Sequence, residues 1–141
     1  MSALVVDASF LVAALTDDGE VGRRAEDVLA SAAGELAAPE MLLAETANIL
    51  RRAENTGRLE TAVAAAAYAD LLALDLVRFP FAPFADRVWE LRGNLTTYDA
   101  WYVAVAEATG ARLATLDLRL SRAPGPRCEF VIPSGSLLRP L

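Results

Sequence analysis

Two short apolar runs, each closed by an aspartate, constrain this chain more than any other feature. They are Ala3-Leu4-Val5-Val6-Asp7 near the start and Arg112-Leu113-Ala114-Thr115-Leu116-Asp117 toward the end. The first, apolar up to its polar turn, reads as a buried strand of a parallel sheet, and Arg112–Leu116 reads as a further strand. The stretches between follow suit. Helices are expected at Phe10–Leu15, Val21–Ala33, Pro39–Asn55, Glu60–Ala73, Pro83–Leu91, Thr97–Thr109 and Leu118–Ala123, with further strands at Glu35–Ala38, Leu74–Phe79 and Glu129–Ile132. Gly34, Gly57 and Gly110 stand where helices should stop. Strands alternating with helices imply an α/β fold with a parallel sheet of about five strands covered on both faces. At 141 residues, 1–141 reads as one domain.

What the chain lacks narrows its chemistry. It has no histidine, so a histidine base, a histidine-held zinc and a Ser-His-Asp triad are excluded. Its 13 basic residues are all arginine, which excludes a P-loop lysine and a Schiff-base lysine. The single cysteine, Cys128, cannot form an internal disulfide; it fits a reducing, cytoplasmic setting and reads as an inert packing residue. A basic n-region is missing from Met1–Leu15, and no apolar run reaches about 18 residues, so neither a signal peptide nor a membrane span is expected. The net charge of −6 argues against a sequence-independent DNA coat, though an acidic site with bound cations reverses its local sign.

Four carboxylates are expected at one place. Ligands of parallel sheets gather beyond the carboxyl ends of the strands, where crossover helices begin. Asp7 and Asp117 close strands, Asp99 lies in the first turn of the helix preceding the Arg112–Leu116 strand, and Glu45 lies about two turns into the helix after the second strand. Each also has a structural reading. Asp7 and Asp117 suit helix N-caps, and Thr96-x-x-Asp99 resembles a capping box. Glu45 sits on a face shared with Met41, Leu42 and Ile49, where its main alternative is an ion pair with an arginine. Four such groups on one edge repel one another, and an all-oxygen set suits Mg²⁺ or Mn²⁺.

These segments resemble a family. Val-Val-Asp-Ala-Ser at 5–9, Ala-Pro-Glu-Met-Leu-Leu-Ala-Glu-Thr-Ala-Asn-Ile-Leu-Arg-Arg at 38–52, Leu-Thr-Thr-Tyr-Asp-Ala-Trp-Tyr-Val-Ala-Val-Ala at 95–106 and Leu-Ala-Thr-Leu-Asp at 113–117 are similar to the PIN-domain ribonucleases, and more narrowly to VapC-type toxins of toxin–antitoxin pairs. The resemblance implies a PIN-like (Rossmann-like) domain and Mg²⁺- or Mn²⁺-dependent endonucleolytic cleavage of RNA. It carries the catalytic and metal-holding roles to Asp7, Glu45, Asp99 and Asp117, and supporting roles to Ser9 and Thr96. Asp7, Asp99 and Asp117 would be the main ligands, and Glu45 a ligand or an orienter of water. Leu118, Arg119 and Leu120 stand where some relatives have another acidic or amide group, which leaves one or two ions open. The implied products carry 5′-phosphate and 3′-hydroxyl ends. The implied partners are a VapB-type antitoxin and a second copy of the chain, with DNA reached only through the antitoxin.

Arg51, Arg52, Arg58, Arg119, Arg122 and Arg127 are candidates for a phosphate path, or else solvated helix faces. Trp89, Phe84, Trp101 and Tyr102 either stack bases or pack in a core or dimer contact. Three other readings stand beside the nuclease. A phospho-acceptor receiver domain fits poorly without a lysine. An adhesion-type metal site would begin at Asp7 and Ser9, but Leu11 breaks the D-x-S-x-S pattern. A catalytically silent PIN-like module, binding a metal or a partner, is the third.

Overall fold

The computed structural model describes residues 3–32 and 34–133. Five strands, β1 (Leu4–Val6), β2 (Leu36–Pro39), β3 (Leu76–Phe79), β4 (Arg112–Ala114) and β5 (Phe130–Val131), form one all-parallel sheet in the order β3-β2-β1-β4-β5. β1 lies at the centre, with Val5 in register with Ala37 of β2 and Leu113 of β4. It is wholly buried, as its unbroken apolar run requires.

Among the described residues seven α-helices connect the strands: α1 (Ala8–Thr16), α2 (Glu20–Ser31), α3 (Leu42–Asn55), α4 (Thr61–Ala73), α5 (Ala85–Glu90), α6 (Thr97–Thr109) and α7 (Leu118–Arg122), with a 3-10 turn at Ala82–Phe84. The first two crossovers step outward from β1 to β3; the third returns past β1 to β4. Right-handed crossovers therefore put α1–α4 on one face and α5–α6 on the other. The packing agrees. α1 touches α2, α3 and α4, whereas α6 lies across β2, β1 and β4 beside α5. The reversal leaves a topological switch point between β1 and β4, where open α/β sheets bind ligands.

Several expected boundaries move for local reasons. Pro39 does not open α3 but ends β2, in register with Phe79, and α3 begins after a turn at Glu40 and Met41. Glu45 consequently stands in the first turn of its helix, not two turns in. α1 starts at Ala8, earlier than expected, because Asp7 caps it by accepting from the Phe10 N–H. α2 ends at Ser31; its expected end at Ala33 lies outside the described residues. The helix expected at Pro83–Leu91 divides into the 3-10 turn and α5. β4 stops at Ala114: the Thr115 N–H still bonds the Val131 carbonyl of β5, but the Leu116 N–H goes to the Ser9 hydroxyl instead of to a neighbouring strand. α6 matches its expected bounds and ends on Gly110 at φ +67°, a left-handed conformation that suits glycine. Among the described residues no helix is long and apolar enough to cross a membrane.

Candidate metal centre

All four carboxylates lie at the carboxyl edge of the sheet. Asp7 leaves β1 and Asp117 follows β4 on the two sides of the switch point, while Glu45 and Asp99 stand in the first turns of α3 and α6.

Asp7 is the hub. It is buried, with only 8% of its surface exposed, and both its oxygens are bonded. Oδ1 accepts from Ser9 Oγ at 2.7 Å and from the Phe10 N–H at 3.0 Å, and Oδ2 accepts from the Thr115 hydroxyl. Ser9 Oγ in turn accepts from the Leu116 N–H at 3.1 Å, and Thr115 Oγ1 from the Asp117 N–H at 2.9 Å. Two hydroxyls thus join the end of β1 to the end of β4. Burial raises the Asp7 pKa, the bonds from Thr115, Phe10 and Ser9 oppose that, and the Asp117 charge adds to it.

The other three follow the same logic. Asp117 caps α7, with Oδ1 accepting from the Arg119 and Leu120 N–H groups at 2.9 and 3.2 Å. Thr96 caps α6 by accepting from the Asp99 N–H at 3.1 Å. Burial raises the Asp99 pKa, helped by the charges of Asp117 and Asp7; the Thr96 hydroxyl and the Arg119 guanidinium partly offset this. The cap readings of Asp7 and Asp117 therefore hold alongside convergence at the edge. The ion-pair reading of Glu45 does not: among the described residues no arginine bridges it. Its Oε1 instead accepts from the Tyr102 hydroxyl at 2.7 Å, across from α6. Burial, then the charges of Asp7 and Asp99, raise its pKa, with the Tyr102 bond opposing.

Two residues hold the carboxylates in a way that was not assigned to them in the sequence. Thr115 sits inside a recognised segment, and its signal was a hydroxyl in an apolar strand two residues before the closing aspartate. Tyr102 belongs to the core, as one of its two sequence readings held; its phenol pKa lies well above the ordinary range through burial and the Glu45 contact. Trp101 meets Phe81 edge-on at 5.3 Å, and Phe84 meets Phe79 at 5.8 Å, so both serve packing. Trp89 is 66% exposed, with the Arg92 guanidinium 4.5 Å from its ring centre. Cys128 is half-buried, its thiol pushed up to about 11 mainly by burial, which suits the inert reading.

A cleft of about 560 Å³ opens beside the edge, lined among others by Asn94, Thr96, Asp99, Asp117, Arg119 and Arg122. The six candidate arginines are not one path. Arg119 and Arg122 line the cleft; Arg51, Arg52 and Arg58 lie along α3 and just past its far end.

A PIN-domain family model matches residues 4–126. The chain is also 39% identical over 129 residues to the ribonuclease VapC9 of Mycobacterium tuberculosis, a match spanning 92% of this chain and 97% of the relative. The chain belongs to the PIN-domain family of VapC ribonucleases.

Solved VapC structures share its fold. VapC20 of Mycobacterium tuberculosis, a toxin that cleaves the sarcin–ricin loop, superposes with a TM-score of 0.65 at 23% identity, over 84% of this chain and 93% of that one. The DNA-bound VapBC of Salmonella typhimurium does so with a TM-score of 0.64 at 14% identity, over 95% and 100%. In this VapC-family PIN domain, among the described residues, no three Asp, Glu or Cys side chains close into a set that could hold an ion as they stand. The hydrogen bonds accepted by Asp7, Asp117 and Glu45 keep their carboxylates engaged. The donor chemistry fits a hard divalent ion nonetheless: every candidate is a carboxylate oxygen, and three of the four bind protons more tightly than usual because of burial and each other's charge.

Proposed function

We propose that the chain is a Mg²⁺- or Mn²⁺-dependent endoribonuclease toxin that hydrolyses RNA at the edge formed by Asp7, Glu45, Asp99 and Asp117. The observation that carries this reading is the placement of carboxylates from four separate elements at the switch point of a VapC-family chain that has no histidine or lysine. Asp7, Asp99 and Asp117 would hold the ion, with Glu45 beside them. When bound, the ion lowers the pKa of water and stabilises charge on the scissile phosphate and leaving oxygen.

The residues supply the rest. Ser9 and Thr115 hold Asp7 in orientation. Tyr102 holds Glu45 by Oε1, which leaves Oε2, without a hydrogen bond among the described residues, to take a proton from attacking water. Attack by water, not by the 2′-hydroxyl, leaves 5′-phosphate and 3′-hydroxyl ends. By family likeness the partners are a VapB-type antitoxin and a second copy of the chain, and the setting is cytoplasmic.

The test is cleavage of RNA by purified protein with Mg²⁺ or Mn²⁺, against EDTA and against Asp7→Asn. Cleavage should require the ion and the aspartate. Equal cleavage by the variant, or 2′,3′-cyclic phosphate ends, would overturn the reading.

A further inference from the structure

Most arginines whose guanidinium groups are engaged are bonded away from the cleft. Arg24 pairs with Glu20, Arg78 with Glu40, and Arg87 with Glu90 and Glu107; Arg23, Arg51 and Arg92 bond to Asp18, Asn48 and Trp89. Arg52, Arg58, Arg112 and Arg127 make no guanidinium bond among the described residues, and Arg119 and Arg122 share that freedom but differ in place. They line the same cleft as Asp99 and Asp117, yet among the described residues their guanidinium groups make no salt bridge or hydrogen bond. Three residues apart on α7, they share a helix face. The cleft therefore has an acidic wall and a free basic wall, in a chain of net charge −6.

The basic wall is also held in place. Beyond α7, the loop through Pro124-Gly125-Pro126 is pinned from three sides. Arg87 Nη2 donates to the Gly125 carbonyl at 2.9 Å, Asn94 Nδ2 donates to the Pro124 carbonyl at 3.1 Å, and the Arg127 N–H donates to Glu107 Oε2 at 2.7 Å. Glu107 is itself gripped by Arg87 at 2.7 and 3.0 Å. Burial pushes the Glu107 carboxyl up, but Arg87 and the Arg127 N–H outweigh it and hold it below the usual range. The backbone just beyond the two arginines is thus fixed in advance, while their side chains are left to reach a ligand.

We propose that Arg119 and Arg122 hold backbone phosphates of a single RNA strand flanking the bond to be cut, and so position the strand against the acidic edge. This rests on the ribonuclease reading and names the groups that engage its substrate. Arginine matches phosphate geometry, and a cleft of about 560 Å³ has the volume of a small-ligand pocket, which suits one strand's nucleotide.

The experiment measures binding of a fluorescein-labelled, mixed-sequence single-stranded RNA to the full chain across a salt series, in an Asp7→Asn background to prevent turnover. Arg119→Ala and Arg122→Ala should each weaken binding by about tenfold and flatten the slope of log affinity against log salt by about 0.7. Arg122→Lys should keep the slope, because lysine preserves the charge, and Arg58→Ala at the far end of α3 should leave both measures unchanged. With Asp7 restored, the two alanine variants should raise KM and leave kcat in place. If the wild-type chain neither binds nor cuts RNA, the functional reading fails. If it cuts RNA while the double alanine variant keeps affinity and slope, this assignment alone is overturned. An acidic peptide that competes as strongly as RNA would overturn it too, by making the wall a protein-docking site.

Discussion

The Tyr102 hydroxyl donates a 2.7 Å hydrogen bond to Glu45 Oε1, linking helices on opposite faces of the sheet across its carboxyl edge. The bond favours the charged carboxylate, against burial and the charges of Asp7 and Asp99. Tyr102→Phe removes the donor and leaves the acceptor in place. The Glu45 pKa should then rise further, moving the acid limb of the kcat/KM–pH profile to higher pH. The fold should lose about 1.5–3 kcal/mol, the range for a hydrogen bond to a charged group. Profiles that superimpose would mean that Glu45 does not titrate in the reaction.

Thr115 has no exposed surface and serves both aspartates, donating to Asp7 Oδ2 and accepting from the Asp117 N–H. Thr115→Val keeps the shape and loses both bonds, so denaturant unfolding should show a loss of about 1–3 kcal/mol. Thr115→Ser should recover most of the stability and the cleavage rate. If serine and valine behave alike, the hydroxyl is not what holds the pair.

Asp99 makes stability depend on pH in a direction that can be stated in advance. Its folded pKa lies above the ordinary 3.8, so the native state holds its proton longer than the unfolded chain. Below about 4 both states are protonated and repulsion costs nothing. As pH rises through the folded pKa, the native state must charge a half-buried carboxyl, and do so against Asp117 and Asp7, and stability falls. In EDTA at neutral pH, Asp99→Asn should therefore melt about 2–4 °C above wild type, with the gap closing toward pH 4. Mg²⁺ should raise the wild-type midpoint and leave the variant nearly unmoved. A variant that melts lower at pH 7 in EDTA would contradict the coupling.

Gly22 is buried in α2 where the end of α1 passes, and a Cβ there would stand 1.7 Å from the Asp17 carbonyl oxygen. Backbone cannot yield as a side chain does. Gly22→Ala should cost about 2–3 kcal/mol despite the better helix propensity of alanine, read as a lower denaturation midpoint. A neutral result would show that α1 and α2 can separate freely.

The parts visible in the sequence were those written locally. Leu4-Val5-Val6 has no polar position to expose, so its burial followed from its composition. Thr97–Thr109 has a capping hydroxyl in front and a left-handed glycine behind, and both ends were legible. The edge common to Asp7, Glu45, Asp99 and Asp117 followed from where parallel strands end and crossover helices begin.

What escaped depends on distant partners. Pro39 reads as a helix opener on its own, but pairing with β3 made it strand. Leu116 continues an apolar run, yet its N–H is claimed by Ser9, from the other end of the chain. Glu45 invited an arginine partner and found a phenol from α6. The division of the arginines into cleft and far end follows from the direction of α3, which residue type does not encode.

The pairing of β1 with β4 also orders events in time. Thr115 follows Asp7 by 108 residues, so at ordinary elongation rates about 5–20 s of synthesis separate them. Until the penultimate strand emerges, Asp7 has neither Thr115 nor Asp117, and the central strand has only one neighbour. The acidic edge therefore exists only once β4 has been made and has paired with β1. Topology thus makes the acidic edge one of the last parts of the domain that can be assembled.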